Sequence, residues 1–357
     1  MKTSLEVEYW VIDDAGDLVA PGSLLDSSAQ IDPEFVEPML EIKTTPCSSM
    51  VELREEFIDR IGNAVDAARD QDKRLVPLAT PLHASPAEIP YREKQSTDLQ
   101  RQIVGRSFDD ARVCAGTHIH FEQSNVVDQL NMLTALDPAF ALVTSSAHYR
   151  GERILECARP FLYRHSCYED CPEQGQLWPY VDSVDEWEGR LEDAHESFRE
   201  RAITCGVDPN AFDDAFEPYD AVWTPVRLRK AMPTVEWRSP DATLPSQILQ
   251  LTEAVRSIVT HADARGTVVG DADSSAGEVT LPEFDTVESV TDAAIYNGLE
   301  SPAVTSYLEE LGFTPSAYDP LANRLSESNL SKRQAKALRL EAAQRLEADL
   351  EQRRVRA

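Results

Sequence analysis

Near the N-terminus the stretch SLEVEYW sets two glutamates two residues apart. Leu5, Val7, Tyr9 and Val11 alternate there with Glu6, Glu8 and Trp10, the period of a β-strand, so both carboxylates leave one face about 7 Å apart. Like charges held that close call for a cation. Three later stretches repeat the pattern. In EFVEPMLEIKT, Val36, Pro38, Leu40 and Ile42 share one face, leaving Glu37, Met39, Glu41 and Lys43 on the other. In VCAGTHIHFE, His118 and His120 leave on one side, and Gly116 lets another group approach the backbone. In PTVEWRSPD, Val235 and Trp237 oppose Glu236 and Arg238.

Singly, each stretch is what any strand with one wet face shows. Together, Glu6, Glu8, Glu41, His118, Glu236 and Arg238 make the polar face of one sheet into a bed for metal ions and an anion. Hard carboxylate oxygens suit Mg²⁺, and the admixture of imidazole allows Mn²⁺. Arg238, beside a metal-binding Glu236, would meet the group those metals hold, for which phosphate is the natural candidate. His120 is a further ligand or a support for one, and Glu37 either steadies the metal ligands from behind or faces solvent. The same letters also fit a zinc hydrolase, with His118 and His120 on one Zn²⁺ and a glutamate activating water. Against that stand the excess of carboxylates and an arginine without a use where there is no phosphate. A third reading is a non-catalytic acidic protein that merely holds cations.

The stretches LEVEYW, EPMLEIKTTPC, CAGTHIHF, ALVTSSAHYRG and TVEWRSPD, in that order, resemble the second family of glutamate-cysteine ligases, which includes the carboxylate-amine ligases. The resemblance implies a mixed α/β (α+β) catalytic domain of the glutamine synthetase-like fold. A curved, mainly antiparallel sheet would line the active site, with helices packed on its other side. It also implies an ADP-forming carbon-nitrogen ligase that uses ATP and Mg²⁺. Glu6, Glu8, Glu41, His118 and Glu236 fall on the family's metal-binding positions and Arg238 on its ATP phosphate-contacting arginine, making Glu236 and Arg238 the catalytic pair. The implied reaction makes γ-glutamylcysteine from L-glutamate and L-cysteine through a γ-glutamyl phosphate; the alternative is a ligase with a different amine acceptor. The family carries a substrate-side arginine after SSAHYRG. Arg153, Arg159 and Arg164 compete for that place, with Arg164 in FLYRH preferred for gripping a substrate carboxylate and Arg159 next. The family usually has a glycine before its first acidic residues, where this chain has Leu5.

Positioning such a face requires strands that pair across long stretches of chain. Strand-like segments occur at LEVEYWVI, FVEPMLEIKT, RLVPLA, ARVCAGTHIHFE and MPTVEWRS. Helical periodicity separates them over Ser48 to Gln71, Val126 to Tyr149, Val184 to Cys205 and Ser246 to Ala264, which points to a mixed α/β architecture. Shorter helices are expected over Val287 to Asn297 and Pro302 to Leu311, after a loop, GDADSSAGEV. A leucine stripe at Leu338, Leu340, Leu346 and Leu350 marks 326–357 as an amphipathic helix packed on the body or on a second subunit. No repeat or linker divides 1–357, so a single catalytic domain is expected.

The 34 Lys plus Arg against 63 Asp plus Glu give a formal charge of −29, dispersed along the chain. That excludes nucleic-acid binding by bulk electrostatics and suits a solvated surface in high salt, an extreme halophile. Small molecules are the expected partners: glutamate, cysteine and ATP. No apolar run is long enough to span a bilayer and no signal segment is seen, so a cytoplasmic location is expected. The six cysteines show no paired CxxC knuckle, and CYEDC (Cys167 to Cys171) is expected to hold free thiols.

Overall fold

The computed structural model describes residues 1–270, 277–325 and 327–354. Its main sheet is built from β1 (Thr3–Asp13), β2 (Ile31–Pro33), β3 (Met39–Lys43), β4 (Lys73–Val76), β5 (Thr117–Glu122), β6 (Val226–Arg229) and β7 (Thr234–Trp237). The strand order is β2-β3-β1-β5-β7-β6, antiparallel throughout, and β4 pairs with the far end of β1. This is the mixed architecture with a mainly antiparallel sheet that the sequence points to.

Register turns the four sequence patterns into one surface. Glu6 stands opposite Lys43 on β3 and His118 on β5, Glu8 opposite Glu41, and Glu236 opposite both His120 and Arg227. Residues directly opposite on neighbouring strands share a face, so these side chains all emerge on one side. Leu5, Val7, Tyr9, Leu40, Ile42, Ile119, Phe121, Val235 and Trp237 fill the other side and are wholly buried. Each such apolar side chain stabilises the fold by roughly 1.5–3 kcal/mol. A slip of one residue would reverse both faces, so burial of the apolar set fixes where the carboxylates go.

The helices are α1 (Met50–Arg69), α2 (Gln95–Val104), α3 (Val126–Ala135), α4 (Val184–Thr204), α5 (Pro245–Arg265), α6 (Phe284–Asn297), α7 (Pro302–Glu310) and α8 (Lys332–Arg354), with shorter turns between them. Of these, α1, α3 and α5 pack on the apolar face of the sheet. Ser49 and Glu52 close a reciprocal cap at the start of α1. Helix α8 lies against β4, α1 and α5 and buries Leu346 and Leu350, so its stripe packs on the body. Among the described residues no single helix is long and apolar enough to cross a membrane. All six cysteines are free, with Cys167 and Cys171 buried and unbridged.

Several expected boundaries are corrected. The helix expected over Val126 to Tyr149 stops at Ala135 and continues only as a 3₁₀ stretch, Asp137–Val143; His148–Tyr149 is a short strand. Pro138 has no N–H to donate to Thr134, and its ring crowds that carbonyl. The strand expected from Ala111 onward begins at Thr117, because 105–113 wind as 3₁₀ turns. The strand expected from Phe35 begins at Met39, so Glu37 lies before it. The C-terminal helix expected over 326–357 begins at Lys332; Ser326 and residues 355–357 lie outside the described residues, as do 271–276 of the GDADSSAGEV loop.

Below the sheet, fully buried Asp137 accepts hydrogen bonds from Trp237 Nε1 at 3.0 Å and from the Ser239 hydroxyl, and pairs with Arg164 Nη2 at 2.7 Å. Removing one partner of a buried pair strands the other charge. Asp137→Ala should therefore lower unfolding free energy by about 3–5 kcal/mol in urea titrations, and the double replacement Asp137→Leu/Arg164→Leu by clearly less. Equal losses in the two would show that packing volume, not charge pairing, sets the cost.

Candidate active site

His118, near the middle of the polar face, is surrounded by carboxylates. Its Nδ1 lies 3.3 Å from Glu6 Oε2, 3.6 Å from Glu236 Oε1 and 3.9 Å from Glu41 Oε1, and its Nε2 lies 3.7 Å from Glu8 Oε1. His120 Nε2 lies 3.4 Å from Glu6 Oε2 and 4.0 Å from Glu236 Oε1. Thr234 Oγ1 donates to the Met232 carbonyl and sits 3.1 Å from His120 Nδ1. That hydroxyl has one proton, already given, so His120 Nδ1–H is the donor to it, leaving Nε2 to face the carboxylates. Neither His118 Nε2 nor His120 Nε2 has a hydrogen-bond partner, although both are buried. Unpaired imidazole nitrogens among carboxylate oxygens fit divalent cations.

Three groups bring their ligand atoms within 4.8 Å of one another: Glu6, His120 and Glu236; Glu6, Glu41 and His118; and Glu8, Glu34 and Glu41. Cationic side chains stand at the two ends of this cluster. On one side Lys43 Nζ lies 2.7 Å from Glu41 Oε2 and 3.1 Å from Asp32 Oδ2. On the other, Arg227 Nε donates to Glu236 Oε2 at 2.6 Å, Arg238 Nη1 to Oε1 at 2.9 Å, and Arg229 Nη1 lies 3.6 Å from Oε2. A cavity of about 840 Å³ opens over both ends, and its walls include Tyr163, Tyr168 and Trp223.

Titration follows from this crowding. Burial opposes ionisation of Glu6, but the neighbouring imidazoles of His118 and His120 hold its carboxyl well below the usual carboxylate range. Full burial likewise opposes the charge on Glu236, and Arg227 and Arg238 overcome it, leaving a firmly ionised carboxylate. Burial, with Arg238 nearby, keeps the His118 imidazole below its ordinary value and hence neutral, as a metal ligand must be. Glu34 and Glu41 go the other way. Burial and the Glu8 carboxylate push Glu34 up to about 8, and burial with Glu34 and Glu6 raises Glu41 well above its ordinary value.

The structure thus brings Glu6, Glu8, Glu41, His118, His120, Glu236 and Arg238 together. It does not bring Glu37 among them: its N–H bonds the Pro90 carbonyl and its own carbonyl accepts from Arg92. Arg164 is committed to Asp137 and to Ser239 Oγ, and Arg159 Nη1 to the backbone carbonyls of Arg238 and Ser239. Neither is among the residues lining the 840 Å³ cavity. Sequence reasoning missed Arg227, Arg229 and Glu34. The alternation of Val226 and Leu228 with the two arginines in VRLR carried the signal for β6. Glu34, outside any strand, gave none.

A family model described as Glutamate-cysteine ligase family 2 (GCS2) matches residues 6–302. The chain belongs to that family. It is 24% identical over 255 residues, 67% of its own length, to a provisionally assigned glutamate--cysteine ligase 2 of Jannaschia sp. (strain CCS1). Among solved structures it resembles a bifunctional glutathione synthetase from Pasteurella multocida, with a TM-score of 0.61 and 15% identity over 98% of this chain. It also resembles the glutamate--cysteine ligase of Francisella tularensis, solved with AMP, with a TM-score of 0.56 and 13% identity over 98% of this chain and 88% of that one. These structural likenesses establish a shared fold. The chain spans 60% of the length of the Jannaschia relative and 52% of the Pasteurella enzyme.

Protons on Glu34 and Glu41 compete with a divalent cation for the same oxygens. Without nucleotide, Mn²⁺ affinity should therefore rise as pH increases from 6 through about 8, where Glu34 gives up its proton, with protons released on binding. Calorimetry in buffers of different ionisation enthalpy counts those protons; an affinity flat across this range would show that Glu34 does not exchange a proton for the cation.

Proposed function

We propose that the chain is an ATP-dependent carboxylate-amine ligase and that it joins L-glutamate to L-cysteine, giving γ-glutamylcysteine, ADP and phosphate. A carboxylate is a poor electrophile. ATP would convert the γ-carboxylate of glutamate to an acyl phosphate, and the amine would attack that carbonyl carbon with phosphate leaving. The observation that carries this reading is the pairing, along one cavity, of a buried carboxylate–imidazole bed with the guanidinium groups round Glu236. Mg²⁺, with Mn²⁺ tolerated, would be held by Glu6, Glu8, Glu41, His118 and Glu236 and would draw charge from the transferring phosphoryl group. Glu236 holds Arg238 at the cavity wall, where its guanidinium can meet phosphate oxygens. Arg229, more open to solvent than Arg227, offers a second such contact. Catalysis here is positioning and electrostatics, and no protein nucleophile is required. Membership of a ligase family and the arginines round Glu236 favour phosphate chemistry over the zinc-hydrolase alternative.

Purified protein in high salt with Mg²⁺, ATP and glutamate should release phosphate selectively when cysteine is added. Equal release with every amino acid would defeat the cysteine assignment and leave a ligase with another acceptor; no dependence on glutamate would defeat the ligase itself. Arg238→Ala should lower kcat by about 100-fold or more while the protein stays folded by circular dichroism, as expected when a donor to developing charge is lost. An Arg238→Ala variant with near-native turnover would remove that residue from the chemistry.

A further inference from the structure

Arg159 is buried and does not line the main cavity, yet it meets the site from behind, its guanidinium lying over the ring of the cavity-wall residue Tyr163. Its Nη1 donates to the Arg238 carbonyl at 2.7 Å and the Ser239 carbonyl at 3.1 Å. Its guanidinium also fills the notch at Gly116: a Cβ there would lie 2.3 Å from Nη2 and 2.6 Å from Nε. Gly116 is in turn tied twice to Glu8. Its N–H donates to Glu8 Oε2 at 2.6 Å, and its carbonyl accepts the Glu8 N–H at 2.9 Å.

We propose that Arg159 is a positioning residue that sets the spacing between the Glu8 carboxylate and the Arg238 guanidinium; the proposal rests on the ligase reading above. Gly116 stands just before β5 and Arg238 just after β7, where pairing thins to single backbone links: Gly116 bridges Asp241 and accepts the Glu8 N–H, and the Arg238 N–H donates to the Pro225 carbonyl at 2.8 Å. Arg159 adds a side-chain brace to both where the sheet ends. Packing alone does not account for an arginine here. Its Nε has no hydrogen-bond partner, and burying an incompletely paired guanidinium is costly where an apolar side chain would fill the same space. What only the guanidinium supplies is a directed bond to the consecutive carbonyls of Arg238 and Ser239.

The test compares Arg159→Met, Arg159→Lys, Gly116→Ala and the double variant Arg159→Met/Gly116→Ala in the full chain. Mn²⁺ affinity without nucleotide, read by electron paramagnetic resonance, reports Glu8; kcat and KM for Mg·ATP report the spacing; a thermal melt reports stability. Arg159→Met should weaken Mn²⁺ binding several-fold and lower kcat/KM for ATP by about 10- to 100-fold, the scale expected for a small misplacement, and Arg159→Lys should recover part of both. Gly116→Ala, which pushes on the guanidinium from the other side, should give the same signature. The double variant should be no worse than Arg159→Met, because the new methyl enters vacated space. Fully additive losses, or an Arg159→Met variant that melts earlier but keeps native Mn²⁺ affinity and ATP KM, overturn the proposal. If Arg159→Met does not fold, Arg159→Lys and Gly116→Ala decide it by the same readouts. If the native chain turns over no ATP, the ligase reading falls, and Mn²⁺ titration still judges the brace: unchanged affinity in both single variants sinks it.

Discussion

The architecture turns on an electrostatic conflict. Glu6, Glu8, Glu41 and Glu236 are drawn onto one face of a sheet whose other face is sealed by apolar packing, and there they meet two imidazoles that are wholly or nearly buried. Charges removed from water cost far more than their surface counterparts unless opposite charge arrives. The chain supplies part of that charge itself, through Lys43 at one end and Arg227, Arg229 and Arg238 at the other. In the middle, His118 and His120 present buried nitrogens without a hydrogen-bond partner. The fold can tolerate the conflict because burial of Leu5, Val7, Ile42, Ile119 and Val235 on the opposite face holds the register against it.

How much of this is legible in the chain follows from the kind of interaction involved. Period-two alternation with strong β-formers announces Thr3–Asp13 and the cores of β3, β5 and β7, and with them the shared direction of Glu6, Glu41, His118 and Glu236. Alternation gives a side-chain direction but not a strand boundary. That is why Glu37 reads as part of a strand that starts two residues later, and why the end of 105–113 reads as extended although it winds as 3₁₀ turns. The break after Ala135 is written as Pro138 and is masked by a continuous apolar run, in which helical periodicity has no polar face to contradict it. Arg227 and Arg229 sit on a short strand with only two apolar partners, too brief to stand out. Glu34 reaches the site from an irregular segment, and Arg159 through backbone carbonyls; neither relation leaves a periodic trace.

The overall charge of −29 opposes the approach of a polyanion such as ATP. Salt screens that field over about a Debye length, roughly 10 Å at 0.1 M and shorter at higher ionic strength. Inside the cavity the balance is local. Three guanidinium groups cluster on Glu236, a single carboxylate, so that part of the wall carries net positive charge even before cations bind. An acidic surface is therefore compatible with anion binding, because the guanidinium groups act at contact distance while the dispersed surface charge is weakened by solvent and salt.

Polarity also runs along the sheet. Moving from β3 across β1, β5 and β7 to β6, the functional groups change from carboxylates, through carboxylates mixed with imidazoles, to guanidinium groups around one carboxylate. A polyphosphate laid along that gradient would have metal-bridged oxygens toward β1 and directly hydrogen-bonded oxygens toward β6. Glu236 is the hinge of the gradient, since Oε1 faces His118 and His120 and also accepts from Arg238, while Oε2 is taken by Arg227. One carboxylate thus touches both the imidazoles and the guanidinium groups. A sheet does this more rigidly than loops could, because the separation of the two sets is then counted in strands, each about 4.7–4.9 Å from the next.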